Sequence, residues 1–351
     1  MSTSFPMDGM RVRFAGETDV GMKRTHNEDY LYLPDEERLV MVADGMGGHA
    51  AGDVASKIVV TEVFSELKFE SANFSDYEKD VPRYLTSSAV NANSVVRAHV
   101  TEHPETRGMG ATLVSVVLVE NRMYWMSIGD SPLYHFRGGK MKQLNEDHSM
   151  APQIDFMVKS GLLDPIAGKN HPDRNCLTSV ILGDRVAKSD CPKTPFELEV
   201  GDIVVVSSDG LQYLEDDKIQ KILNRYRRKK AAEIAGYLLE AIEALADPDQ
   251  DNCTFSVIKL NHNKPVIRAI RAKPVGHTDK NVATVTRVVE LDDADKIAAK
   301  VSAPQKVAVA EVHSKIKEVR PVRQVIVKPR QEATQEVDAD APPAKLAAGG
   351  K

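Results

Sequence analysis

Apolar runs of strand length, several of them ending at an acidic residue, recur along the chain as far as residue 260. Residues 39–43 (LVMVA) are continuously apolar and deliver Asp44, and residues 202–207, apolar from Ile203 to Val206, lead to Asp209. Apolar runs of this length bounded by turn residues predict buried strands. Residues 11–20 alternate loosely and predict another strand. Residues 112–119 and 123–128 are apolar runs split by Glu120-Asn121-Arg122, a hairpin signal, and the second leads into Gly129-Asp130. Residues 133–136, with Gly138-Gly139 after them, predict a strand and a turn, and residues 254–260 predict the last strand.

Between these runs the period changes to that of a helix. Residues 52–67 place Val54, Ile58, Thr61 and Phe64 or Leu67 on one face. Residues 82–100 align Leu85, Ala89, Ala92 and Val96, and residues 231–245 align Ile234, Leu238, Ala241 or Ile242, and Leu245. A shorter helix is predicted over 216–223. Residues 149–175 break the pattern with a helical piece at 152–159, proline-containing turns and few apolar runs, which predicts an excursion flanking a site. The order of elements is not a βαβ alternation. Hairpins favour antiparallel sheets with helices packed outside, an α+β arrangement. Beyond residue 260 come scattered prolines, short Val-rich pieces such as 322–327, and an Ala/Pro/Gly end, which predict a mostly disordered, basic extension over 261–351.

Charge sharpens this division. The net charge of -5 over 351 residues hides an asymmetry. From Asn261 onward there are 17 Lys and Arg against 11 Asp and Glu, while the preceding part holds 29 against 40. An acidic body is expected where carboxylates gather around cations, and it argues against nucleic acid as a partner. Cys176, Cys191 and Cys253 form no CxxC pair, which predicts a reduced, cytoplasmic chain with small buried thiols. No signal-peptide pattern is visible and no apolar run is long enough to span a membrane.

The candidate chemistry lies in four clusters: Arg24-Thr25-His26-Asn27-Glu28-Asp29, Asp44-Gly45-Met46-Gly47-Gly48-His49, Ser207-Ser208-Asp209-Gly210 and Asp251-Asn252. A strand-end Asp followed by Gly lets the chain turn sharply, so that the Gly45 carbonyl can face the same ion as Asp44. An ordinary Asp-Gly turn gives the same pattern, but two such pairs in one domain favour a hard-metal site. Arg24 beside Glu28 and Asp29 suits either a surface ion pair or a phosphate fork. Asp130 is a turn residue or a further ligand. His49, His148 and His171 suit hydrogen-bonded structural roles.

In this order the clusters resemble the metal-dependent protein phosphatases of type 2C, specifically their bacterial branch. The resemblance also covers Gly108-Met109-Gly110-Ala111-Thr112, Ile128-Gly129-Asp130-Ser131, Asp147-His148-Ser149 and residues 175–183. It implies a four-layer α/β/β/α sandwich of two antiparallel sheets flanked by helices, spanning residues 8–260, with a flap subdomain at about 150–175. It implies two or three Mg²⁺ or Mn²⁺ ions, with Asp44 between two of them and the Gly45 carbonyl on one. Asp209 and Asp251 complete the first site, Glu28 faces the second, Asp29 holds water beside the ions, and Asp130 serves a third metal. Arg24 binds substrate phosphate. The implied activity is hydrolysis of phosphoserine and phosphothreonine in proteins, with a serine/threonine kinase as counterpart and the tail as a candidate for binding a protein partner. Ala111 stands where members usually carry Thr, and Pro132 where they usually carry Arg. Met46 occupies the position of the histidine taken as general acid in animal members. These departures spare the metal ligands and bear on substrate preference. A phosphatase of small metabolites, a phosphoprotein-binding pseudo-enzyme and a chain acting mainly through its tail are the other readings.

Overall fold

The computed structural model describes residues 2–7, 10–33, 38–48, 51–71 and 77–262. The extension from residue 263 onward and His49 lie outside the described residues. Strands are numbered β1 (Ser2–Met7), β2 (Met10–Asp19), β3 (Tyr30–Tyr32), β4 (Leu39–Ala43), β5 (Gly45–Met46), β6 (Gly110–Ala111), β7 (Leu113–Val119), β8 (Arg122–Ile128), β9 (Leu133–Arg137), β10 (Lys140–Gln143), β11 (Phe196–Glu197), β12 (Ile203–Ser207) and β13 (Cys253–His262). Helices are α1 (Ala51–Ser71), α2 (Tyr77–Glu102), α3 (Ala151–Lys159), α4 (Pro165–Lys169), α5 (Asp216–Tyr226) and α6 (Ala231–Glu243).

The strands form a six-stranded sheet in the order β1-β2-β13-β12-β9-β10 and a five-stranded sheet in the order β11-β8-β7-β4-β3, with β5 and β6 paired apart from both. All pairings are antiparallel. The alternation of strand side chains explains the layering. In β4, Val40 and Val42 face the other sheet, and Leu39, Met41 and Ala43 face α1 and α2. In β12, Val204 and Val206 face the first set, and Ile203 and Val205 face α5 and α6. Three apolar layers result: helices α1 and α2 on one sheet, sheet on sheet, and helices α5 and α6 on the other. This is the α/β/β/α sandwich.

Most predicted elements form with ends shifted by a residue or two. Four points differ from the expectation. The buried stripe of α1 is Ala55, Ser56, Val59, Val60, Val63 and Leu67, and the stripe through Val54, Ile58 and Phe64 is only partly covered while Thr61 is exposed. This helix is apolar over much of its girth, because it packs on both α2 and the sheet, so its period alone does not fix the inner face. Helix α2 begins before Pro82, which lies in its early turns, so proline there does not mark the start. Cys176 is exposed and Cys191 half-buried, and only Cys253 is a buried thiol. The first sheet also extends to Ser2–Met7, ahead of the boundary expected at residue 8.

The register brings one end of each sheet together. Ala43 pairs with Tyr30, and Ile128 with Leu113, so Asp44, Glu28, Asp29 and Asp130 leave the five-stranded sheet at one end. Ser207 pairs with Phe255, and Cys253 with Asp19, so Asp209 and Asp251 leave the other sheet together. Among the described residues no helix is long and apolar enough to cross a membrane.

Candidate active site

Asn252 fastens the loop between β2 and β3. Its Oδ1 accepts from the Glu28 amide at 2.8 Å, and its Nδ2 donates to the carbonyls of Val20 at 2.7 Å and His26 at 3.0 Å. The amides of Met22 and Lys23 both donate to the Gln250 carbonyl. Chain segments more than 200 residues apart are thereby held as one unit, with Glu28 buried beneath it. The Ser56 hydroxyl donates to the Glu28 carbonyl at 2.6 Å, tying the loop to α1.

Arg24 lies over this unit, its side chain 43% exposed. Its Nη1 donates to Glu28 Oε2 at 3.0 Å, Nη2 to Asp251 Oδ2 at 3.0 Å, and Nε lies 2.8 Å from Asp251 Oδ1. The fork geometry is that of a guanidinium gripping a planar anion. The Asp251 hydrogen bond raises the pKa of Arg24 further.

Asp44 follows β4. Its amide donates to Thr112 Oγ1 at 3.0 Å, and the Thr112 amide donates back to the Asp44 carbonyl at 2.9 Å. Thr112 Oγ1 also lies 2.7 Å from Ser131 Oγ, which joins Asp44 to the turn carrying Asp130. A Cβ on Gly45 would come 2.1 Å from the Gly52 carbonyl oxygen and 2.4 Å from that of Glu28, so only glycine fits. Asp209 opens a 3₁₀ turn, Asp209–Tyr213, directly after β12. The preceding Ser208 donates to Asp29 Oδ2 at 2.7 Å and accepts from the Thr254 amide at 3.0 Å. Gly210 is pressed against the Asn252 carbonyl, 2.0 Å from where a Cβ would lie.

The carboxylates act on one another. Burial pushes Asp29 up to about 7, with the Asp209 charge adding to it and the Ser208 hydroxyl opposing. Burial pushes Asp130 up to about 7, helped by Asp209 and Asp147. Asp44 is driven well above the usual carboxylate range by burial and by Asp29, Asp209 and Asp130. Asp209 is raised by burial, and its hydrogen bond with Asp44 opposes the shift. Burial raises Glu28 against the pull of Arg24. Asp29 Oδ1 is buried without a hydrogen-bond partner.

Such a set is unfavourable until positive charge enters it. Its donors are oxygens, which suit Mg²⁺ or Mn²⁺ and not softer ions. Among the described residues no three His, Cys, Asp or Glu side chains alone close around one ion. Mg²⁺ keeps several waters and takes only one or two carboxylates, so the donor set fits it.

Every predicted acid is therefore at the same end of the sandwich, and Arg24 bridges Glu28 to Asp251. His148 is buried, its Nδ1 accepting from the Gly129 amide at 3.2 Å, and His171 Nδ1 accepts from Asp173 at 3.2 Å, both structural contacts. The flap is rooted on the same turn, since the His148 amide donates to the Gly129 carbonyl. Asn252, Thr112 and Ser208 organise the acids, yet they are single polar residues without a periodic signal, and sequence reasoning gave them no role.

A sandwich of two antiparallel sheets, with acids converging where strands of both sheets end, defines a class of metal-dependent phosphatase folds. The family model for protein phosphatase 2C matches residues 22–247, and the chain belongs to that family. Serine/threonine protein phosphatase PstP of Mycobacterium tuberculosis is 33% identical over 248 residues, which cover 70% of this chain and 44% of PstP. The match thus spans less than half the length of that relative. The crystal structure of the M. tuberculosis phosphatase PstP/Ppp superposes with a TM-score of 0.61 at 32% identity, covering 72% of this chain and 99% of that one. The PstP catalytic domain in complex with two manganese ions gives a TM-score of 0.58 at 29% identity, over 72% and 99% of the two chains.

Proposed function

We propose that this chain hydrolyses phosphoserine and phosphothreonine monoesters in proteins, in the cytoplasm, opposing a serine/threonine kinase. Two or three Mg²⁺ or Mn²⁺ ions are the cofactors of this reading. The observation that carries it is the convergence of Asp29, Asp44, Asp130, Asp209 and Asp251 where strands of both sheets end, beside a partly exposed arginine fork. Asp44, the Gly45 carbonyl, Asp209, Asp251 and Glu28 are the proposed donors, with Asp130 serving a third ion. Divalent cations bound there supply positive charge to the phosphoryl oxygens and acidify water towards neutral pH.

The chain's own groups do the rest. Arg24 presents its guanidinium at the mouth and exchanges part of its carboxylate pairing for a phosphate. Asp29, with Oδ1 unpartnered, orients water beside the site. Met46 is 39% exposed and has no proton to give, so the leaving alkoxide takes its proton from water near Asp130. The flap offers exposed Phe156, Leu162 and Ile166, apolar surface that suits a protein substrate better than a metabolite. The domain of this reading ends at about residue 260, and the basic remainder is a candidate for binding a protein partner.

Asp209→Asn tests the assignment, because it removes charge and keeps volume. The variant is expected to fold and to lose several orders of magnitude in turnover of a phosphothreonine peptide with Mn²⁺. A near wild-type rate would remove Asp209 from the cation site.

A further inference from the structure

Helix α2 carries His99 in its last turn, and His103 follows the helix directly. The His103 amide donates to the His99 carbonyl at 2.8 Å, so helical geometry continues through both residues and their rings share one face. The ring centroids are 4.5 Å apart with the planes inclined at 34°. His103 Nδ1 lies 3.4 Å from Glu105 Oε1. The 3₁₀ turn Pro104–Thr106 places that carboxylate there, closed by the Thr106 amide and hydroxyl on the His103 carbonyl.

We propose that His99 and His103 form a second cation site, for Cu²⁺ or Ni²⁺, separate from the carboxylate site and unlike it in chemistry. The spacing supports this. A metal about 2.1 Å from one nitrogen of each ring lies about 3.2 Å from each centroid, so rings in adjacent positions of a square or octahedral shell have centroids about 4.5 Å apart, against about 5.2 Å for a tetrahedral shell. The observed 4.5 Å matches the adjacent arrangement, the preference of Cu²⁺ and Ni²⁺. Glu105 Oε1, 3.4 Å from His103 Nδ1, is placed for the part an outer carboxylate plays for many ligating histidines, pairing with Nδ1 and leaving Nε2 for the metal. Water fills the remaining positions, which is why two imidazoles suffice without a third side-chain ligand. The site lies at the C-terminal end of α2, where the exposed carbonyls favour positive charge. It also lies on the strap that leads into β6, the partner of β5 next to Asp44.

The test is Cu²⁺ titration of the full chain in saturating Mg²⁺, which occupies hard oxygen sites, followed by calorimetry and electron paramagnetic resonance. One saturable equivalent with coupling to two nitrogens is expected. His99→Gln, at a half-buried position, and His103→Gln, at an exposed one, are each expected to weaken binding by about tenfold or more and to abolish the two-nitrogen pattern. Glu105→Gln is expected to weaken binding less and to keep both nitrogens. A two-nitrogen signal that survives either histidine change overturns the proposal. So does a copper signal that disappears in Asp209→Asn instead, because it places the ion among the carboxylates.

Discussion

Asn252 assembles the acidic site although no metal role is assigned to it. Truncation to alanine leaves the Glu28 amide and two carbonyls without their partner. Asn252→Ala is expected to cost about 1–3 kcal/mol in urea unfolding, and an unchanged midpoint would show that water replaces the clasp. On the proposed reading Arg24 holds the substrate phosphate in the ground state and the transition state alike, so Arg24→Ala should raise KM for a phosphopeptide more than it lowers kcat. An unchanged KM would return Arg24 to a surface ion pair. The carboxylates predict a pH dependence for the cation-free chain. Asp29 and Asp130 are held at about 7 in the fold against an ordinary 3.8. Between these values the folded chain keeps protons that the unfolded chain releases, so stability falls as pH rises through the window and levels off above about 7. Added Mg²⁺ should suppress the fall, because it favours the charged forms. Urea melts of chelator-treated protein at about pH 5 and about pH 8 check the sign, and a higher midpoint at the alkaline end would contradict it. At this scale the sequence was legible where an acid ended an apolar run, as at Asp44, Asp130 and Asp209. It placed Asn252 and Ser208 in the clusters and Thr112 in a resembling stretch without giving them a role, because their partners lie far away along the chain.

Elements were legible in proportion to how one-sided they are. Helix α2 buries Leu85, Ala89, Ala92 and Val96, the stripe its period predicts. Helix α1, flanked by α2 and the sheet, does not announce its inner face. The two-residue strands β5, β6 and β11 and the short helix α4 lack enough positions to carry any period, and tertiary contacts make them. Glycines at the junctions are nevertheless decisive. Gly138 and Gly139, with φ of 60° and 88°, make the tight turn joining β9 to β10. Gly210→Ala would drive a methyl into the Asn252 carbonyl and separate the 3₁₀ turn from the loop that Asn252 clasps. A loss of about 1–3 kcal/mol is expected, readable through the single tryptophan, Trp125, which is buried in β8. No change in the unfolding midpoint would mean that the turn relaxes without cost.

On the scale of the whole molecule, the two sheets contribute different halves of one site. Asp44 and Asp130 leave one sheet, Asp209 and Asp251 leave the other, and the loop carrying Arg24, Glu28 and Asp29 crosses between them. No single element holds the chemistry, and the cation site is expected to form only in the fully folded sandwich. The layer order was legible through hairpin signals and the family resemblance, while the pairing of β2 with β13, whose paired residues lie 234 to 252 positions apart, follows from no local pattern. Since β13, the last strand in the chain and an inner strand of the first sheet, ends at His262, a chain truncated after that residue should keep the fold and the peptide phosphatase activity; aggregation of the truncated chain would show that the extension completes the domain. The central claim is that this acidic centre hydrolyses protein phosphomonoesters only with its cations. Phosphate release from a phosphothreonine peptide, followed with Mn²⁺ and then with excess chelator, measures it directly. Steady turnover that stops with chelator and returns with fresh Mn²⁺ is the predicted result, and hydrolysis that persists in chelator, or no release with Mn²⁺ present, would contradict it.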